Sequence, residues 1–266
     1  MSKVKTEGLE VRKIKIKGSS ITIKLYNENA NGMPVVVAPG YMTDGDKSWG
    51  KKLSEIINSP IIFVQWRSSS FSELSLGLIA TIAAGLFLPF RAVTLPASLA
   101  RKIYDSWSKS SKIASDAGDC LARFLNDVWD RDDKALFIGH SLGVRVITEA
   151  MKQLNNANVL SSVSIAGAIL QPLYDENISK ANHVHSPMHV NIHSSRDLVL
   201  KYLYKIGEIS LERPVGINAS KLGNVENINL DIGHMSYLSN KKFMRYIALH
   251  YKQARAMYYA RGYGEY

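Results

Sequence analysis

The sequence predicts an α/β protein built on a mostly parallel sheet with helices on both faces. Three observations carry that prediction. Short, continuously apolar runs such as Val35–Ala38, Ile61–Val64 and Ala135–Ile138 have the look of strands buried on both sides. Amphipathic helical stripes separate them. One of the strand-to-helix junctions is the turn Gly139-His140-Ser141-Leu142-Gly143.

Residues 9–25 read as a hairpin. Ile14 and Ile16 alternate with Lys13, Lys15 and Lys17, Gly18-Ser19-Ser20 supplies a turn, and Ile21, Ile23 and Leu25 alternate again. One apolar and one basic face place this pair at a sheet edge. Val35–Ala38 is the first buried strand. Gly40-Tyr41 ends it, and a helix follows with Trp49, Leu53 and Ile56/Ile57 at helical spacing. Ile61–Val64 is the next strand. Later strands are expected at Ala135–Ile138, Val163–Leu170, Met188–Ile192 and Ile228–Ile232. Helices are expected from Leu142, from about Leu198, and along a last stripe of Phe243, Ile247 and Tyr251. No linker or internal repeat divides the 266 residues, so residues 1–266 read as one domain.

Residues 67–112 interrupt the rhythm. From Leu74 to Phe90 there are seventeen residues without a charge, and after Arg91 nine more run to Ala100. A single bilayer crossing needs about 20 apolar residues and would place two strands of one sheet on opposite sides of the membrane. Three readings fit: a buried core helix, a lid over a site, or an interfacial hairpin dipping into lipid.

Composition sets further bounds. The proportions, 46% hydrophobic and 21% charged, are those of a globular chain. A single cysteine, Cys120, excludes an internal disulfide framework and a multi-cysteine metal site. The net charge of +10 sits at the ends, +5 in residues 1–24 and +5 in residues 241–266, around a body that sums to zero. Such ends are either solvated or held against an anionic surface, with a phospholipid membrane the expected partner. No nucleic-acid recognition motif accompanies the charge, so no nucleic acid is expected. Met1–Glu10 is polar and no apolar segment of a secretory signal follows, which reads as a cytoplasmic protein, peripheral at the membrane.

The chemistry lies in the glycine-flanked serine. A strand, a tight turn and a helix around G-x-S-x-G push a serine Oγ out above a sheet, and Gly139 and Gly143 carry no side chain to strike the neighbouring strand and helix. A serine hydroxyl is a poor nucleophile until a base takes its proton. The expected order is serine, then acid, then histidine. His234 follows the last strand and is the expected base. His140 lies inside the turn, His183, His185, His189 and His193 precede the expected acid, and His250 lies on a helix. Asp197, in the loop after Met188–Ile192, is the expected acid, with Asp175 as its competitor. An oxyanion would be received by the backbone N–H groups of Leu142 and Tyr41. Asp44, Asp46 and Asp231 have no metal-ligand spacing and no nucleotide-binding glycine motif occurs, so no metal and no cofactor are expected.

The segment 139–147, GHSLGVRVI, resembles the nucleophile segment of an α/β-hydrolase family that includes eukaryotic transmembrane and coiled-coil domain proteins and fungal lipase-like relatives. Pro39-Gly40-Tyr41, Trp49 and Phe63-Val64-Gln65-Trp66 are similar to its oxyanion strand and second strand. Residues 191–200, NIHSSRDLVL, resemble its acid loop, and Asn227 with Gly233-His234-Met235-Ser236-Tyr237 resembles its histidine loop. The resemblance spans about residues 33–240. It implies an α/β-hydrolase fold, a triad of Ser141, Asp197 and His234, and a membrane-associated apolar insertion at Leu74–Ala100. Arg67 departs from the family pattern, which has an acid after the tryptophan. The activity implied is hydrolysis of carboxylic esters, chiefly of lipids; the alternative is a membrane-docking module that keeps the fold without turnover.

Overall fold

The computed structural model describes residues 3–6, 9–15, 21–40, 48–66, 97–181, 183–201 and 212–263. In chain order, strands β1 (Lys3–Thr6), β2 (Leu9–Lys15) and β3 (Ile21–Tyr26) form an antiparallel set. The expected hairpin is β2–β3. β1, which the charge-rich N-terminus concealed, adds a further strand outside it, so β1 and not the hairpin is the sheet's edge. β4 (Val35–Ala38), helix α1 (Ser48–Ile56) and β5 (Ile61–Trp66) follow. All four residues of β4 are buried, as its unbroken apolar run requires.

A 32-residue helix, α2 (Ala97–Val128), comes next. Its buried stripe of Ala114, Ala117, Leu121 and Leu125 repeats every three or four residues. The interruption expected to reach residue 112 therefore gives way to helix from Ala97. Its part before residue 97, with the expected lid or lipid-dipping segment, lies outside the described residues. No helix among the described residues is long and apolar enough to cross a membrane.

β6 (Ala135–His140) leads into α3 (Leu142–Met151), and β7 (Val159–Ile165) into α4 (Gln171–Lys180). β7 lies earlier than the expected Val163–Leu170. Its ladder stops at Ile165 because Ala166 adopts a positive φ of 46°, and the chain then crosses the strand ends, with the Ala168 N–H donating to the Ser141 carbonyl at 3.0 Å. β8 (His183–His193) and β9 (Val225–Asn229) complete the sheet. β9 also precedes its expected position, Ile228–Ile232. It is the far edge, with Val225 its one buried residue, and the apolar signal runs on into the buried loop residue Ile232. A 3₁₀ turn (Tyr237–Ser239) and α5 (Lys241–Ala260) are the last elements of the described chain.

The nine strands form one sheet in the order β1-β2-β3-β5-β4-β6-β7-β8-β9. From β5 to β9 every neighbour pair is parallel, so their carboxyl ends lie along one rim, the usual location of ligand sites in such sheets. Helices flank the sheet in two groups. α2, α3 and α4 stack on one another in succession, while α1 and α5 meet at the 3₁₀ turn. α5 buries Phe243, Ile247, His250, Tyr251, Ala254 and Tyr258 along one stripe and leaves Lys241, Lys242, Arg245 and Lys252 exposed. Asn240 caps it by accepting the Phe243 N–H at 3.0 Å, which fixes where the loop before it ends.

Candidate active site

Ser141 is the single residue between β6 and α3. Its φ of 55° and ψ of −125° lie where L-residues rarely sit. Three backbone hydrogen bonds hold it there. Its N–H donates to the Ile165 carbonyl at 2.9 Å, and its carbonyl accepts from Val144 at 3.1 Å and Ala168 at 3.0 Å. The turn is tight enough to forbid side chains beside it. A Cβ at Gly143 would lie 2.0 Å from the Ala38 carbonyl oxygen, and one at Gly139 would lie 2.8 Å from the Gly143 carbonyl oxygen and the Val144 Cα. Across the rim, a Cβ at Gly40 would lie 2.8 Å from the Ser141 Cβ.

Three elements bring three side chains together. The Ser141 Oγ is 3.0 Å from His234 Nε2. The His234 Nδ1 is 2.7 Å from Asp197 Oδ2. Asp197 follows β8, and its other oxygen, Oδ1, accepts the Leu200 N–H at 2.9 Å. Its own N–H donates to the Ser194 carbonyl at 3.1 Å. A carboxylate accepts only, so the proton between it and His234 sits on Nδ1, and Nε2 faces the serine as an acceptor. All three side chains are buried, Asp197 completely. In chemical terms the serine proton has a base to go to, and the resulting imidazolium has a fixed counter-charge.

Asp175, the competing acid, is engaged elsewhere. It accepts from the Ser220 Oγ at 2.5 Å, from the Lys221 N–H at 3.2 Å and from Gln171 Nε2. The Leu142 amide opens α3, where a helix leaves its first N–H groups without intrahelical partners. Tyr41, expected to supply the second oxyanion N–H, lies outside the described residues, as do Asp44 and Asp46.

Sequence reasoning missed the rings behind the histidine. His140 Nε2 lies 3.0 Å from the His234 carbonyl oxygen. Its ring stacks on Trp49 with centroids 5.0 Å apart and lies 5.0 Å from the His234 ring. Tyr237 approaches it edge-on at 5.9 Å. Burial, reinforced by His234 nearby, lowers the His140 pKa to about 3, so it is neutral at ordinary pH. The local signals existed, a histidine before the serine and a tryptophan one position into α1, but nothing in the order of residues said that they meet.

The rim geometry and the strand order define the α/β-hydrolase fold. A carboxyl esterase from Tuber melanosporum shares it, with a TM-score of 0.51 over 94% of this chain and 89% of that one at 13% identity. Residues 41–250 match the family described as Protein of unknown function (DUF726), and the chain belongs to that family. It is similar to an uncharacterized membrane protein of Schizosaccharomyces pombe, 27% identical over 212 residues, and to the transmembrane and coiled-coil domain-containing protein STS1 of Oryza sativa subsp. japonica, 30% identical over 173 residues. These alignments take in 74% and 61% of this chain but 36% and 25% of the relatives, so the chain spans about a third or less of their length.

Proposed function

We propose that this chain is a serine hydrolase that cleaves carboxylic esters through an acyl-enzyme intermediate. The observation that carries the proposal is the unbroken line from Ser141 Oγ through His234 to Asp197, with contacts of 3.0 and 2.7 Å. His234 takes the serine proton as Oγ attacks the ester carbonyl carbon. Asp197 holds the imidazole in its working tautomer and balances the charge that forms. The Leu142 amide, with that of Tyr41, receives the oxyanion. His234 then returns the proton to the departing alcohol. A water, deprotonated by the same imidazole, releases the acyl group and restores Ser141.

The substrates proposed are lipid esters at an anionic membrane surface. Supporting this are the apolar stretch Leu74–Ala100 and the basic outer face of α5. Leu198 and Met235, the residues directly after Asp197 and His234, are 40% and 69% exposed, which puts apolar surface beside the acid and the base. The relatives' names, a membrane protein and a transmembrane protein, point the same way.

The test is covalent. A fluorophosphonate probe should label the wild-type chain on the peptide carrying Ser141, and Ser141→Ala should abolish labelling. The same substitution should lower kcat on p-nitrophenyl esters by about 10⁶-fold, as in other serine triads. A panel of phospholipids presented in anionic and zwitterionic vesicles reads the substrate class. An unlabelled wild-type protein that still binds anionic vesicles would instead identify a docking module.

A further inference from the structure

We propose that His140 is the positioning residue for the base, holding His234 by its main chain and by its ring. The inference rests on the reading of Ser141 and His234 as the working pair. A carbonyl oxygen cannot donate, so the 3.0 Å contact between His140 Nε2 and the His234 carbonyl fixes the proton on Nε2 of His140. His140 is therefore a donor there. The His140 ring also lies 5.0 Å from the rings of both Trp49 and His234. Residue 140 ends β6, so its main chain is tied to the sheet, while His234 stands in the loop after β9, at the sheet's edge. The contact thus anchors the loop that carries the base to the strand that presents the nucleophile.

The surrounding residues strengthen the anchor. Tyr237, in the same loop, packs on His140 and on Phe243, the first buried residue of α5. Phe243 also meets Trp49 edge-on at 6.4 Å. The Lys52 amine, one turn along α1, donates to the Leu238 carbonyl at 3.2 Å. α1 and the histidine loop are in this way closed around His140 from two sides. Because catalysis needs the Ser141–His234 distance held to a fraction of an ångström, loss of the anchor should reduce the rate of proton transfer and leave substrate binding unaffected.

His140→Phe keeps a buried ring and removes the donor; His140→Gln keeps an N–H donor at nearly the position of Nε2. With wild-type enzyme active on p-nitrophenyl esters, His140→Phe should lower kcat roughly 10- to 100-fold with KM unchanged, and His140→Gln should recover most of the loss. Equal kcat in wild type and His140→Phe overturns the proposal, and so does an equal fall in both variants accompanied by a lower Tm. The NMR signal of the His234 Nδ1 proton, shared with Asp197 and far downfield, reads the same geometry without turnover. It should persist in His140→Gln and broaden or vanish in a folded His140→Phe. Its persistence in His140→Phe overturns the proposal. If wild type neither turns over esters nor takes the fluorophosphonate, the hydrolase reading fails, and the downfield signal still decides whether His140 positions His234.

Discussion

Gly143 passes so close to the end of β4 that a methyl group on its Cα would lie 2.0 Å from the carbonyl oxygen of Ala38 and 2.6 Å from that of Pro39. Both obstacles are backbone. Ala38 is paired in register with Gly139 on β6, so neither strand can retreat without breaking the ladder at the point where Ser141 is presented. Gly143→Ala should therefore cost about 3 kcal/mol or more, in the upper range of overpacking effects. Gly223, around which no atom lies within 4 Å of an added Cβ, is the control. Gly223→Ala should change stability by no more than about 0.5 kcal/mol. Urea denaturation of both variants measures the contrast, and equal midpoints would contradict it.

That steric relationship was legible because it is local: five residues in a row, a strand before and a helix after. The buried strands β4, β5 and β6 were legible for the same reason, since a strand covered on both faces has no choice but to be apolar throughout. The approach of Ser141, Asp197 and His234 was legible from chain order, because in a parallel sheet every loop after a strand opens on one rim. The run of α2 past residue 112 was not. The first turns of its buried stripe carry only the small apolar side chains of Ala114 and Ala117, set among serines, lysines and aspartates that dilute any apolar period. The end of β7 was not legible either, since nothing in Ile165-Ala166 announces a positive φ at an alanine. The contact of His140 with the His234 carbonyl spans 94 residues and depends on how β9, the 3₁₀ turn and α1 pack together. No linear pattern encodes that.

Asp197 and Asp175 lie in the same half of the chain, and their surroundings give them different consequences. Asp197 accepts from His234 Nδ1 and from the Leu200 N–H, and is completely buried. Asp197→Asn keeps the shape and presents a donor to the imidazole, favouring the wrong tautomer. Its kcat on esters should fall by about 10⁴-fold, with little change in Tm.

Asp175 instead ties α4 to residues 220–221 through Ser220 Oγ and the Lys221 N–H. Asp175→Asn should cost about 1 to 2 kcal/mol through weakened charge-assisted hydrogen bonds and leave kcat within twofold or so of wild type. Steady-state kinetics and urea melts on the two variants together separate the roles. A large fall in kcat for Asp175→Asn, with Asp197→Asn unaffected, would reverse the assignment.

Two histidines far from the serine should make stability fall towards acid pH. His250 Nε2 is 2.8 Å from Ser161 Oγ, whose proton goes to the Met188 carbonyl at 2.6 Å, so Nε2 must itself carry a proton and donate. His189 Nδ1 is 2.8 Å from Ser162 Oγ. Burial lowers both to a pKa of about 4, and the charge of His183 adds to the shift at His189. In the unfolded chain a histidine titrates near 6.5. Above that pH both states are neutral and the two residues add no pH dependence. As pH falls from about 6.5 towards 4, the unfolded chain takes up protons that the native protein refuses, and stability drops with decreasing pH. Each residue can account for a loss on the order of 3 kcal/mol by pH 4. His250→Gln retains an N–H for Ser161 and cannot titrate. Its unfolding free energy, followed by denaturant titration between pH 7 and pH 4.5, should fall less steeply than that of wild type, by up to one proton per molecule. Parallel curves would mean that His250 takes up its proton in the folded state as readily as in the unfolded chain.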